Sequence, residues 1–307
     1  MGEFRFTTPV AVAFAAVGLL LSTGRGARAQ DMEPRAYSAV PIDTNFLIGG
    51  YTRITGSLSF DESLPITDVQ AKINNGVLGY QRSFDLLGRT ASVGMVVPYY
   101  KGNLTGKLIG EDKEISRWGF GDVISRLTIN LLGNPSLTPE EFERREPTTT
   151  LGVSFAVAAP TGNYNPTQLI NISAHRWGFK PEIGVSQPIG RWFADASAGV
   201  WLFTENRDFF PNHSRRQDPI ETIQAHVGYD FAPGLWLAAD GTYYWGGETS
   251  LDGVPGENKQ AVTRVGLTLS VPIAEGLTTK FAWTTWLTHH NGGTFDVIGV
   301  FFQYRWF

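Results

Sequence analysis

The chain has 307 residues, no cysteine, and a net charge of −4 from 25 Lys+Arg against 29 Asp+Glu. The missing cysteine excludes disulfides, thiolate catalysis and cysteine-ligated zinc. The mild acidic excess argues against nucleic-acid binding, which needs clustered basic charge.

The N-terminus starts with Arg5, continues through the apolar run Val10 to Leu21, and reaches Ala27-Arg28-Ala29. The run is too short to span a bilayer as a helix. With the small-residue cleavage pattern behind it, residues 1–29 read as a secretory signal. Residues 30–307 then form one domain, in which no apolar run approaches the length of a transmembrane helix.

Twelve alternating segments follow, approximately 45–59, 68–84, 89–103, 119–132, 147–159, 177–187, 191–204, 220–231, 235–246, 260–272, 276–289 and 295–307. Each can supply the roughly 9–11 residues that a tilted strand needs to cross a membrane. Connections at 85–88, 188–190, 232–234 and 274–276 are short, whereas 104–118, 160–176, 205–219 and 247–259 are long and polar. Short periplasmic turns alternating with long extracellular loops are the pattern of an outer-membrane barrel. Segment 133–146 (GNPSLTPEEFERRE) is long for a periplasmic turn and has room for a helical turn, while the hairpin at 290–294 is short for an outer loop.

The faces agree. Leu151, Val153, Phe155 and Val157 share one face, with Ser154 on the other; Ile223, Ala225, Val227, Tyr229 and Phe231 oppose Gln224, His226 and Asp230. Val265, Leu267, Leu269 and Val271 oppose Arg264, Thr268 and Ser270, and Phe281, Trp283 and Leu287 oppose Lys280 and Thr284. A wholly apolar face at period two is a lipid face, and its polar partner faces the lumen. Trp192, Trp236 and Trp306 fall at periplasmic strand ends, and Trp118, Trp177, Trp201, Trp245 and Trp286 at outer ends, as two interfacial girdles. In the closing segment Ile298, Val300, Phe302, Tyr304 and Trp306 form the apolar face, while terminal Phe307 lies in register with Gln303 and Arg305. Trp306 is therefore the expected anchor toward lipid and the barrel-assembly machinery. The fold class is an all-β, antiparallel transmembrane barrel of about twelve strands in a bacterial outer membrane.

The inward faces gather charge: Asp122, Arg126, Lys180, Glu182, Asp195, His226, Asp240, Arg264, Lys280 and Asp296. These groups either line a narrow path or form an ion-paired network that fills the barrel. At the mouth, Trp177, Trp201, Phe209 and Phe210 stand with Arg207, Arg215 and Arg216, either to capture small hydrophobic solutes or to contact lipopolysaccharide. Catalysis has little support: Ser214 follows His213 without a placed third group, and adjacent His289 and His290 point apart, as poor metal ligands do. No cofactor motif is present. The functions in view are a passive channel, a structural barrel with a plugged lumen, and an outer-membrane hydrolase, in that order.

The chain also carries Glu33-Pro34-Arg35-Ala36-Tyr37-Ser38, Asn45-Phe46-Leu47, Val77-Leu78-Gly79-Tyr80, Ala159-Pro160-Thr161-Gly162, His175-Arg176-Trp177-Gly178-Phe179-Lys180-Pro181-Glu182, Gln217-Asp218-Pro219 and Tyr243-Tyr244-Trp245-Gly246-Gly247. On these blocks it resembles the bacterial family of outer-membrane transporters labelled "MetA-pathway of phenol degradation". The resemblance implies a barrel associated with uptake of aromatic hydrocarbons, with no catalytic residues to transfer.

Overall fold

The computed structural model describes residues 32–58, 66–291 and 293–307, so the expected signal lies outside the described residues. Seventeen strands and one short helix follow in chain order: β1 Asn45–Leu58, β2 Ile66–Leu86, β3 Arg89–Leu108, β4 Glu111–Phe120, β5 Ile124–Leu132, α1 Pro139–Glu143, β6 Thr150–Ala158, β7 Gly178–Ile189, β8 Trp192–Phe203, β9 Asn206–Phe210, β10 His213–Gln217, β11 Ile220–Ala232, β12 Leu235–Gly246, β13 Thr249–Leu251, β14 Val254–Pro255, β15 Gln260–Ala274, β16 Leu277–His290 and β17 Thr294–Trp306. Twelve of them are antiparallel staves of one closed barrel. β1 pairs with β2 on one side and with β17 on the other, and β2 pairs with β3, so no edge is left open. The closing pair runs from Asn45 opposite Trp306 to Ser57 opposite Thr294.

Closure follows from the alternation. In hydrocarbon every backbone N–H and C=O must pair, and a sheet achieves this only by returning on itself. The outer surface is a band of apolar side chains that includes Leu78, Val93, Leu127, Ile183, Val227, Leu267 and Ile298, all exposed. Such a band is untenable against water and natural against lipid. At the periplasmic end Trp192 meets Tyr229 edge-on at 5.0 Å, and Tyr304 stacks on Trp306 at 5.7 Å. At the outer end Tyr243 stacks on Trp245 at 5.2 Å. The first periplasmic turn places Leu87 and Gly88 at φ 54° and 77°. Two left-handed residues in succession form the tight hairpin turn whose twist matches its strands.

The structure departs from the sequence expectations in four places. The expected strand 119–132 is broken at residues 121–123, because β3 hands its ladder from β5, which it pairs below Val96, to β4, which it pairs above Tyr99. The outer loops 104–118, 205–219 and 247–259 contain hairpins, and β9, β10, β13 and β14 make a second, four-stranded sheet. Trp201 and Trp236 point inward with 1% and 2% exposure, rather than joining the girdles. Asp296 is exposed on the lipid-face parity of Ile298 and accepts a 2.5 Å hydrogen bond from Thr285 Oγ1. A charge there is tolerable because it sits two residues from the start of β17, near the edge of the hydrocarbon. In the 133–146 segment α1 is the helical turn for which there was room, started by a capping box between Thr138 and Glu141.

Candidate functional site: a plugged polar lumen beneath an apolar chamber

The interior has three levels. The middle one is polar, and strand register explains why. Ser186 pairs with Asp195, Asp195 with His226, and His226 with Asp240, making a continuous polar row across β7, β8, β11 and β12. His226 Nδ1 lies 2.7 Å from Asp240 Oδ1, and Thr268 Oγ1 donates to Asp240 Oδ2 at 2.6 Å. Two inward rows higher, Glu182 accepts from Arg126 Nη2 at 2.6 Å and ion-pairs with Lys180 at 2.7 Å. Arg264 donates to Thr284 Oγ1 at 2.7 Å, and Lys280 Nζ lies over the Trp236 ring at 5.5 Å. The eight charged positions Arg126, Lys180, Glu182, Asp195, His226, Asp240, Arg264 and Lys280 are thus all turned inward, where every one but the partly buried Arg126 is buried. Buried charges persist only when paired and hydrogen-bonded.

What fills this level is the segment before β1. Residues 32–44 run inside the barrel rather than outside it. Arg35 N donates to Asp195 at 2.7 Å, and its guanidinium grips both oxygens of Asp230 at 2.6 Å while lying 3.9 Å over the Phe193 ring. Glu33 is ion-paired with Arg126. Tyr37 donates its hydroxyl to Glu182 at 2.9 Å and lies 2.9 Å from Ser154 Oγ. Below, Asn134 donates to the Val40 carbonyl, and Ile42 N donates to the Leu137 carbonyl, tying the segment to the α1 connection. The family-like block Glu33 to Ser38 is therefore a plug fitted to the charged rows.

The wall is shaped for it. Gly152 and Gly184 pair across β6 and β7 on the inward parity, and the Tyr37 ring rests in the gap they leave. A Cβ on Gly184 would sit 2.2 Å from Tyr37 ring carbons, and one on Gly152 2.7 Å away. Gly184→Ala should therefore push Tyr37 from its seat and raise channel noise in planar bilayers, while Gly190→Ala in the periplasmic turn should not. Identical traces for Gly184→Ala and the parent chain would show that the ring is not held there.

Above the plug the lining turns apolar. Ile54, Ile73, Tyr100, Leu104, Trp201, Ile220, Tyr244, Val262 and Phe295 project inward and pack with Ile170 and Ile172 of the 160–176 loop. That loop is drawn down by Asp122, which accepts from Ser173 Oγ at 2.5 Å, Gly162 N at 3.1 Å and Ala174 N at 3.2 Å. A cavity of about 80 Å³ continues from Trp201 and Ile124 down beside the plug, past Arg126, Gln81 and Ser92 to Val40. That is room for a few waters, well short of the roughly 300–1,000 Å³ of a small-molecule pocket. Passage of an aromatic solute requires something to move.

Of the expected mouth residues, Trp177 is on the outer face, stacked with Phe179 at 6.4 Å, and Trp201 is in the chamber. Phe209 is buried 5.0 Å beneath the Arg215 guanidinium, and only Phe210 remains partly open. The β9–β10 hairpin causes this difference, since it turns alternate residues to opposite faces. His213 does have a carboxylate partner, with Nδ1 2.5 Å from Asp252 Oδ2. That bond, with the Ser214 N–H, holds the Asp252 carboxyl below its ordinary pKa. Ser214 binds the same carboxylate through its backbone, so no nucleophile, base and orienter stand in series. Among the described residues no group of three or more His, Asp or Glu could hold a metal.

A family model described as "Putative MetA-pathway of phenol degradation" matches residues 49–302. No curated protein sequence matches the chain. Among solved structures, the COG4313 outer membrane channel from Pseudomonas putida F1 superposes with a TM-score of 0.77 at 20% identity, covering 89% of this chain and 99% of that one. The β domain of the Bordetella autotransporter BrkA gives 0.49 at 11% identity, with 85% and 99% covered. The P. putida toluene transporter TodX gives 0.42 at 11%, with 87% and 91% covered. The last two scores are too low to carry weight; the first establishes the fold of an outer-membrane channel.

Proposed function

The chain belongs to this phenol-degradation family, and on that footing we propose that it is a channel for passive, cofactor-free uptake of small hydrophobic compounds, aromatic ones foremost. The barrel sits in the bacterial outer membrane. One observation carries the substrate class: the outward third of the interior is lined by Ile, Val, Trp, Tyr and Phe, while the polar level below is occupied by the chain's own N-terminal segment. A porin for sugars or ions needs the opposite, a continuous wet path with polar groups along it. Here an apolar solute leaves water among these packed apolar side chains and advances when they and the plug shift. A permanently plugged structural barrel is the competing reading, and flux separates the two. In this reading the exposed Arg207 and Arg216 meet lipopolysaccharide phosphates, and the apolar β17 face ending at Trp306 serves the assembly machinery; their exposure supports the first and the alternation of β17 the second.

Polar substitutions at this level test the reading. Val262→Thr with Ile172→Thr should lower toluene flux into proteoliposomes by roughly tenfold, since losing about 50 Å² of apolar contact at roughly 25 cal/mol per Å² removes about 1.3 kcal/mol. Unchanged toluene flux would remove the chamber from the path.

A further inference from the structure

The outer vestibule has a second cavity, separate from the passage beside the plug. The β3–β4 hairpin extends past the end of β5. Leu104, Leu108 and Ile115 line its inner side, Leu169 and Ile170 of the 160–176 loop face them, and Phe210 of β9 completes the wall of a space of about 350 Å³. That lies within the range of small-molecule pockets, which combine apolar walls with a few oriented polar groups.

The charged side chains that line it among the described residues are all of one sign, beside the neutral Thr105, Thr167 and Gln168. Lys107, Lys113 and Arg117 line the cavity, and among the described residues no carboxylate does. Lys107 lies 3.6 Å from Asp68, and Lys113 2.7 Å from Glu111, but both carboxylates stand outside the cavity and both pairs are exposed. Such pairs are worth little and exchange readily for another anion. Arg117 donates through Nε to the Ile170 carbonyl and through Nη1 to the Ser116 carbonyl, each at 3.0 Å. Those partners are neutral, so they fix the guanidinium at the cavity wall without cancelling its charge.

We propose that this cavity is a capture site for small amphipathic acids, taking the apolar body among Leu104, Ile115, Leu169 and Phe210 and the carboxylate at Arg117 and Lys113. The site deepens the uptake reading and rests on it: the chamber below would receive what the vestibule concentrates. The acid need not be aromatic; an apolar tail with one carboxylate has the required chemistry.

The test uses the full chain in zwitterionic lipid nanodiscs, titrated with 4-phenylbutyrate, 4-phenylbutan-1-ol and 4-phenylbutylamine by saturation-transfer NMR. The acid should bind tightest, by roughly tenfold over the amine, as expected for one partly solvated charge pair. Lys113→Glu lies on an exposed residue and spares the fold; it should weaken the acid roughly tenfold and leave the alcohol unchanged. Arg117→Gln should act likewise, and Arg117→Lys should restore most of the loss. Equal binding of the three probes, an unchanged acid affinity in Lys113→Glu, or displacement of the acid by added lipopolysaccharide would overturn the proposal. Toluene flux is measured on the same purified protein reconstituted into proteoliposomes. Intact toluene flux with no preference for the acid defeats the capture site alone, whereas absent flux defeats the uptake reading itself.

Discussion

Deleting residues 32–38 turns a nearly closed barrel into a conducting one. The deleted stretch contains Glu33, Arg35 and Tyr37, which contact Arg126, Asp230, Asp195 and Glu182. The wall keeps every ladder bond, because the barrel closes through β1 and β17 without help from the segment. A space that now leaves about 80 Å³ beside the plug widens across the polar level that residues 32–38 fill, so single-channel conductance should rise roughly tenfold. A gentler variant keeps the whole chain. Glu33→Ala with Arg35→Ala removes both ionic anchors, each worth about 1.5–3 kcal/mol as charge-assisted bonds. Every 1.4 kcal/mol lost shifts the open fraction by about tenfold. Frequent openings to the level of the deletion variant are expected. If both variants conduct like the parent, the segment is not what closes the channel.

Removing Glu182 should be the most damaging single change in the interior. It is buried and holds three groups together: Arg126, Lys180 and the Tyr37 hydroxyl. Arg126 keeps Glu33, and Tyr37 keeps Ser154. Lys180, itself buried, loses its carboxylate and faces the apolar surroundings of Trp201. Breaking a buried pair from one side costs about 3–5 kcal/mol, chiefly for the stranded charge. Glu182→Ala should therefore lower unfolding stability in urea by about that amount, and Glu182→Ala with Lys180→Met should recover much of it by removing the stranded ammonium. A single variant within about 0.5 kcal/mol of the parent would show that the row is solvated.

The sequence exposes the staves because lipid and lumen impose a strict two-residue period, and residues 222–231 or 262–271 need no tertiary information to be read. The same parity also contained an answer that the aromatic pattern obscured. Asp195 and Trp201 on β8 differ by an even number of residues, as do Trp236 and Asp240 on β12; placing the carboxylates inside places both tryptophans inside. Conversely Asp296 shares parity with Ile298 and belongs outside, where charge alone suggested otherwise. The plug left a different trace. Glu33, Arg35 and Tyr37 alternate like a strand but precede the first stave, and nothing local says that the chain turns into its own barrel. The register that opposes Gly152 to Gly184 and makes a seat for Tyr37 is a long-range pairing, invisible until β6 and β7 are laid side by side. The apolar chamber is likewise assembled from single residues at the outer ends of many strands, each of which reads as an exception to the polar face on its own strand.

The most direct measurement is solute flux into proteoliposomes containing the refolded full chain, comparing toluene, glucose and potassium chloride. Toluene entry well above that of protein-free vesicles, with glucose and salt near background, is the expected result. Free passage of glucose and salt at the rate of toluene, or no protein-dependent flux of toluene, would contradict a channel for hydrophobic solutes.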